Sequence, residues 1–321
     1  GVGNGLDALV LIFKGFIQLG KLKKGDEVIV PANTYIASIL AILEVDLVPV
    51  LVEPRLETFN INPDLIAERI TSKTKAILPV HLYGQLAEMN SINNIAKQHN
   101  LLVIEDAAQS HGASAQFAET QPTTNNQQPT TTQAYSFYPG KNLGALGDAG
   151  AITTNDDDLA KVLFSLRNYG SETKYYNDYL GVNSRLDEIQ AAFLNVKLPH
   201  LNSDNEKRRA IAKHYLSEVK NIRIVLPNWD LSNNHVFHLF VIRTRNRDHL
   251  QAYLKQQGIE TLIHYPIPPH KQRALNPEVS GWNNLRFPIT EKIHNEVLSI
   301  PISPIMTTEE VDFIIQTLNQ Y

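Results

Sequence analysis

From Gly5 onward, Leu6, Leu9, Val10, Phe13, Phe16 and Ile17 recur at helical spacing and define one apolar face. The segment DEVIVP then reads as a short buried strand, TYIASILAILE as a helix and DLVPVLVEP as a second strand. NPDLIAERI reads as a helix opened by Asn62 as cap, with Pro63 in its first turn. TKAILPVHL is a predicted strand, MNSINNIAKQHN a helix and LLVIEDAAQ a strand. AYSFYPGKN reads as a strand followed by a tight turn, and AGAITT as another strand. NDDDLAKVLFSLRNYG reads as a helix with acids in its first turn and Gly170 just past its end. These strands lack the apolar/polar alternation of a half-exposed sheet. The expected fold is therefore α/β, with a mainly parallel central sheet buried between helices.

The pattern changes farther on. SRLDEIQAAFLNVKLPHLNSDNEKRRAIAKHYLSEV is long and helical, with Pro199 as a break or bend. Beyond it lie predicted strands in HVFHLFVIRT and IETLIHYP, and helices in RDHLQAYLKQQG and TTEEVDFIIQTL. The expected organisation is a large domain over residues 1–200 and a smaller C-terminal α+β domain over 201–321. Residues 118 to 134, AETQPTTNNQQPTTTQA, carry almost no apolar anchor and are expected to form an exposed, mobile loop.

Composition narrows the function classes. Hydrophobic residues make up 43% and charged residues 19%, a balance that supports a packed core. A net charge of -4 gives no sign of nucleic-acid or membrane affinity. Without cysteine there is no disulfide, thiolate metal site or cysteine nucleophile, and no metal site is expected. Apolar runs such as LVLIFKGFI are too short to span a bilayer. With no signal peptide visible, a cytoplasmic enzyme is expected.

Ligands of open parallel sheets bind at the carboxyl ends of the strands. Three features fall there or beside it. Asp106 ends the apolar strand LLVIEDAAQ, where a carboxylate needs a cation or hydrogen-bond donors; capping the next helix is an equal alternative. Gln109 and His111 follow it, either as pocket lining or as plain loop residues. GVGNGLDAL sets Gly3 and Gly5 just before a helix, whose free N–H groups suit a phosphate, although the glycine spacing is not a dinucleotide fingerprint. Lys141 lies in the glycine- and proline-rich turn of SFYPGKNLGALGDAG. It reads as a solvated amine, a phosphate clamp or a Schiff-base former. Pyridoxal phosphate would use all three features: a lysine for its aldehyde, a carboxylate for its ring nitrogen and donors for its phosphate.

GVGNGLDAL, ANTYIAS, VIEDAAQSHGA, SFYPGKNLGALGDAGAI, NSRLDEIQAAFL and IHYPIPPHKQ occur in an order that resembles the DegT/DnrJ-type sugar aminotransferases. The resemblance covers nearly the whole chain. It implies the aspartate-aminotransferase fold (fold type I), pyridoxal 5'-phosphate as cofactor and a homodimer with sites at the subunit interface. It matches Lys141 to the Schiff-base lysine and Asp106 to the partner of the ring nitrogen, with Gln109 beside the cofactor. Ser136 and the backbone at Gly5, Leu6 and Asp7 match phosphate contacts. Tyr35 matches the aromatic stacked on the ring, and Asn183 the residue reaching across the dimer to the phosphate.

The resemblance further implies a nucleotide-linked keto sugar as acceptor and glutamate as donor. IETLIHYPIPPHKQ looks most like members that aminate a 3-keto-6-deoxyhexose on dTDP; a 4-keto sugar is the alternative. His270 and Lys271 are candidates to meet the sugar or pyrophosphate, or plain exposed loop residues. The same pair of readings applies to His81, Tyr83 and Gln85, and His111 joins the substrate candidates. Sugar dehydratases of the family carry histidine in place of the lysine, so Lys141 argues against that activity. A non-catalytic sensing relative and an enzyme acting on amino acids, with Arg185 or Arg273 for the α-carboxylate, stay open. Two departures stand out. The family carries a segment ahead of GVGNG, so a fragment or partial gene product is expected. It also has a shorter, glycine-containing connection where residues 118 to 134 stand here.

Overall fold

The computed structural model describes residues 1–114, 131–275 and 282–321. Helix α1, Gly5–Gln18, starts at Asn4, whose side chain accepts a hydrogen bond from the Asp7 N–H at 2.8 Å. Its buried face includes Leu9, Phe13 and Phe16, as the spacing predicts, while Leu6 stays exposed at the start. β1, Glu27–Pro31, lies between β2, Val48–Val52, and β3, Thr74–Ile77, all parallel. β4, Leu102–Val103, and β5, Glu105–Asp106, form one interrupted strand line. Ile104 N–H donates to Ile77 O at 3.0 Å and Asp106 N–H to Pro79 O at 2.9 Å. β6, Thr132–Ser136, continues parallel to β5, and β7, Gly150–Thr154, closes antiparallel against β6. Helices α2, Ile36–Glu44, α3, Met89–His99, and α4, Asp157–Leu166, complete this part. The core between α1, α2, α4 and the sheet joins Phe13, Phe16, Val28, Val30, Ile39 and Leu163.

Past the small hairpin of β8, Ser171–Thr173, and β9, Tyr176–Asn177, the long helical stretch breaks where Pro199 predicts. It gives α5, Glu188–Lys197, a 3-10 turn at Leu198–His200, and α6, Leu201–Glu218. β10, Phe240–Arg243, pairs antiparallel with β11, Val297–Ile300. α7, Arg247–Gln256, α8, Pro288–Glu296, and α9, Thr308–Gln320, flank them. A second core gathers Tyr215, Phe240, Leu250, Leu298, Ile314 and Leu318. Leu275, Trp282 and Phe287 instead join the first core, so the two parts are laced together. α8 has no cap of its own. The Glu53 carboxylate supplies it, accepting from Ile289 N–H at 2.8 Å, Thr290 N–H at 2.9 Å and Thr290 Oγ1 at 2.6 Å.

Several expectations need correction. NPDLIAERI holds only two 3-10 turns, Pro63–Leu65 and Ala67–Arg69, with Asn62 capping the first. IETLIHYP forms no strand; Leu262 only bridges Ser299. Of the expected loop 118–134, Thr132 to Ala134 lie in β6, with Thr132 and Ala134 buried, while 118–130 fall outside the described residues. The hairpin β8–β9, strand β11 and helix α8 add to the elements that the sequence pattern predicts.

Candidate active site

Asp106 closes its strand line with its carboxylate buried. Oδ2 accepts from Ser38 Oγ at 2.7 Å, and Oδ1 from Ala108 N–H at 3.2 Å. Ser38 shares a further hydrogen bond with Thr34 Oγ1 at 2.9 Å, so ANTYIAS, which runs from the end of β1 into α2, orients the donor. These bonds offset part of the cost of removing a charge from water.

Lys141 sits on the turn after β6. The turn is held by Lys141 N–H to Tyr138 O at 2.9 Å and Ala145 N–H to Phe137 O at 2.7 Å. A methyl group at Gly144 would clash with the Pro139 carbonyl, which is why glycine stands there. Among the described residues, Lys141 Nζ has neither a hydrogen-bond nor an ion-pair partner. Burial lowers its pKa below the ordinary lysine range, and the Asp106 charge works in the opposite direction. A partner-free amine so placed reaches its neutral, nucleophilic form more readily.

Imidazoles surround it. His111 is buried with neither ring nitrogen hydrogen-bonded, and its ring packs against Tyr135 and Phe137 at centroid distances of 5.4 and 5.6 Å. Burial first, then the Lys141 charge, lowers its pKa to about 3. The same two causes, in that order, depress His264 and, more strongly, His238.

The amino end meets the same region from the other side. A Cβ at Gly5 would lie 2.7 Å from Ser136 Cβ, so only glycine lets α1 start against Ser136. The Gly5 and Leu6 N–H groups have no partner among the described residues, as expected for the first turn of a helix. Ser184 Oγ accepts from Gly3 N–H at 2.9 Å and donates to Asp7 Oδ2 at 2.5 Å, which fixes this start to the segment carrying Asn183.

An aromatic wall stands over the strand ends. The Tyr35 and Tyr265 rings lie 5.1 Å apart with planes inclined by 35°. Gln109 Oε1 accepts from Tyr83 N–H at 2.6 Å, and its Nε2 donates to Tyr265 OH at 3.1 Å. Tyr83 OH donates to the His264 carbonyl.

The structure therefore brings together Asp106, Lys141, His111, Gln109, Tyr83 and Tyr35, with Gly5 and Ser136 in contact beside them. Four substrate candidates are engaged elsewhere. His81 is buried with Nε2 2.8 Å from Glu105 and Nδ1 accepting from Ala87 N–H at 3.1 Å, which leaves no free ring nitrogen. Gln85 is buried and donates to Asn228 O at 3.3 Å. His270 is buried against Phe287 with Nε2 3.0 Å from Glu291, and Lys271 donates to Leu285 O at 3.1 Å. Asn183 is exposed. Sequence reasoning missed Ser38, Thr34, His238, His264 and Tyr265; ANTYIAS and IHYP carried four of them without assigning any a role.

Two solved structures share the architecture. The crystal structure of DesV from S. venezuelae superposes with a TM-score of 0.90 and 41% identity, covering 99% of this chain and 83% of that one. NtdA from Bacillus subtilis, solved with bound PMP, gives 0.87 and 35%, covering 99% and 72%. The chain is a pyridoxal-phosphate-dependent enzyme of the aminotransferase class. Residues 1–319 match the DegT/DnrJ/EryC1/StrS aminotransferase family, and the chain belongs to it. A curated relative from Aneurinibacillus thermoaerophilus, a dTDP-3-amino-3,6-dideoxy-alpha-D-galactopyranose transaminase, is 55% identical over 338 residues, covering all of this chain and 85% of the relative.

Proposed function

We propose that this enzyme moves an amino group from glutamate to a dTDP-linked 3-keto-6-deoxyhexose, giving the 3-amino-3,6-dideoxyhexose, with Lys141 as the Schiff-base lysine. The observation that carries the reading is the partner-free amine of Lys141, held on a glycine-bent turn with the buried Asp106 carboxylate as its counter-charge. The cradle where Gly5 meets Ser136, which a Cβ would fill, fits a phosphate lying against free N–H groups. Bound there, the cofactor supplies an electron sink for a carbanion at the substrate carbon. Asp106, oriented by Ser38, would be the partner of the ring nitrogen. Lys141 Nζ holds the cofactor at rest and moves the proton during transfer, a task suited to a lowered pKa. The Gly5 and Leu6 N–H groups and Ser136 would hold the phosphate, with Asp7, whose N–H is taken by Asn4, beside them; Tyr35 would contact the ring, and Gln109 ties the wall together. Of the substrate candidates, His111 stays in this reading, since neither of its ring nitrogens has a hydrogen-bond partner. Tyr83 stays as part of the aromatic wall, its N–H and OH being taken by Gln109 and the His264 carbonyl. Exposed Lys271, with one carbonyl partner, keeps donors to spare. His81, Gln85 and His270 leave the reading because they are buried and bonded to protein groups.

The sugar follows the 55% identical relative. A 4-keto acceptor is the second reading. Protein incubated with glutamate and a panel of nucleotide keto sugars should aminate the dTDP-3-keto-6-deoxyhexose. Amination of 4-keto sugars alone would move the reaction to that carbon, and no amino sugar from any acceptor would overturn the proposal.

The proposal includes two domains meeting near residue 200, a cytoplasmic setting and a homodimer. No helix among the described residues is long and apolar enough to cross a membrane. On α5, Ile189, Phe193 and Val196 are 63%, 39% and 70% exposed, an apolar face that suits a second copy. Asn183, exposed just before this helix, then acts on the partner's phosphate site. Mixing Lys141→Ala chains with Asn183→Ala chains should restore one site per hybrid dimer. Hybrids confirmed by mass that stay inactive would place each site within one chain.

A further inference from the structure

Asp106 ends β5 and Lys141 stands on the turn after its partner strand β6, so beyond the strand pairing their relative position depends on what joins that turn to the loop after Asp106. One side chain does so directly. Asn205, on α6, is only 1% exposed. Its Oδ1 accepts from Asn142 Nδ2 at 2.8 Å, and its Nδ2 donates to the His111 carbonyl at 2.8 Å. Asn142 follows Lys141, and His111 lies five residues beyond Asp106. Asn142 Nδ2 also donates to Val236 O at 3.0 Å, so the junction reaches the segment that carries His238. The close approach is built into the backbone. Gly112 has φ +78°, and a Cβ there would lie 2.8 Å from Asn205 Nδ2, so a side chain at this position would push the amide away.

We infer that Asn205 is a positioning residue for the transamination. It locks the turn of Lys141 to the loop after Asp106, and so sets where the lysine amine stands relative to the carboxylate. The inference rests on the reading of Lys141 as the cofactor lysine. An asparagine suits the task because it accepts at one end and donates at the other. Aspartate keeps the acceptor for Asn142 and loses the donor to His111, while alanine loses both.

Holoenzymes of the parent, Asn205→Ala, Asn205→Asp, Asn142→Ala and the double alanine variant test this. The readouts are kcat, KM for glutamate, the pH titration of the lysine-linked cofactor's absorbance and the melting temperature. Displacing a reacting group by an ångström costs on the order of 10²-fold, so Asn205→Ala should lower kcat by about 10- to 100-fold with KM little changed. The titration midpoint should move, Asn205→Asp should fall between parent and alanine, and the double variant should be no worse than Asn205→Ala. A lowered melting temperature with parental kcat and titration midpoint would reduce Asn205 to a structural core residue. Multiplying effects in the double variant would show that the two asparagines act separately, and either result overturns the inference. If Asn205→Ala does not fold, Asn142→Ala carries the same comparison, and parental values in it would also overturn the inference. A lysine-linked absorbance that survives in Lys141→Ala would instead remove the underlying reading.

Discussion

Lys141→Ala is expected to fold normally and to lose turnover. The Nζ group has no partner among the described residues, and its burial opposes its charge, so removing it breaks no hydrogen bond. Deleting a desolvated amine at such a point leaves stability unchanged or raises it. Activity is expected to fare differently, because in the proposed reaction Lys141 is both the covalent anchor and the group that moves the proton. The proton-transfer role alone contributes about 10²- to 10⁴-fold, so kcat should fall by at least that much. Single-turnover amination and thermal melts of the same preparation separate the two effects. A folded variant with parental turnover would exclude Lys141 from the reaction.

Asp106→Asn should cost about 10²- to 10³-fold in turnover, the scale of a lost electrostatic contact in a water-excluded site. The amide is nearly the same size and can still accept from Ser38 Oγ, so the local packing survives. What disappears is the negative charge. That charge raises the Lys141 pKa against the lowering by burial. With it gone, Lys141 becomes neutral at still lower pH, and in cofactor-free protein its acylation should begin at lower pH than in the parent. Mass spectrometry of the Lys141 peptide across a pH series follows this. An unchanged profile with unchanged turnover would mean that Asp106 serves only to hold Ser38 and Ala108.

Local signals carried much of this architecture. The spacing of Leu9, Phe13 and Phe16 defines α1, Pro199 marks the break between α5 and α6, and the glycines around Lys141 mark a turn in which Gly144 has no room for a side chain. What the chain concealed depends on partners far away in sequence. Ser38 matters because it reaches Asp106, 68 residues on. α8 escaped notice because its cap comes from Glu53, more than 230 residues earlier. IETLIHYP is apolar enough for a strand, yet its polar groups turn to Ser299, Tyr83 and Gln109 instead of a ladder. The substrate candidates show the same limit. His81 and His270 are ordinary histidines in sequence, and only Glu105 and Glu291 reveal that they are taken.

Borohydride trapping reads the bond between Lys141 and the cofactor without an intervening step. Holoenzyme reduced at neutral pH, digested and analysed by mass should carry the pyridoxyl group on Lys141. The same treatment after an excess of glutamate should leave Lys141 unmodified, since the donor displaces it. A pyridoxyl group on any other lysine, with Lys141 bare throughout, would exclude Lys141 as the Schiff-base lysine.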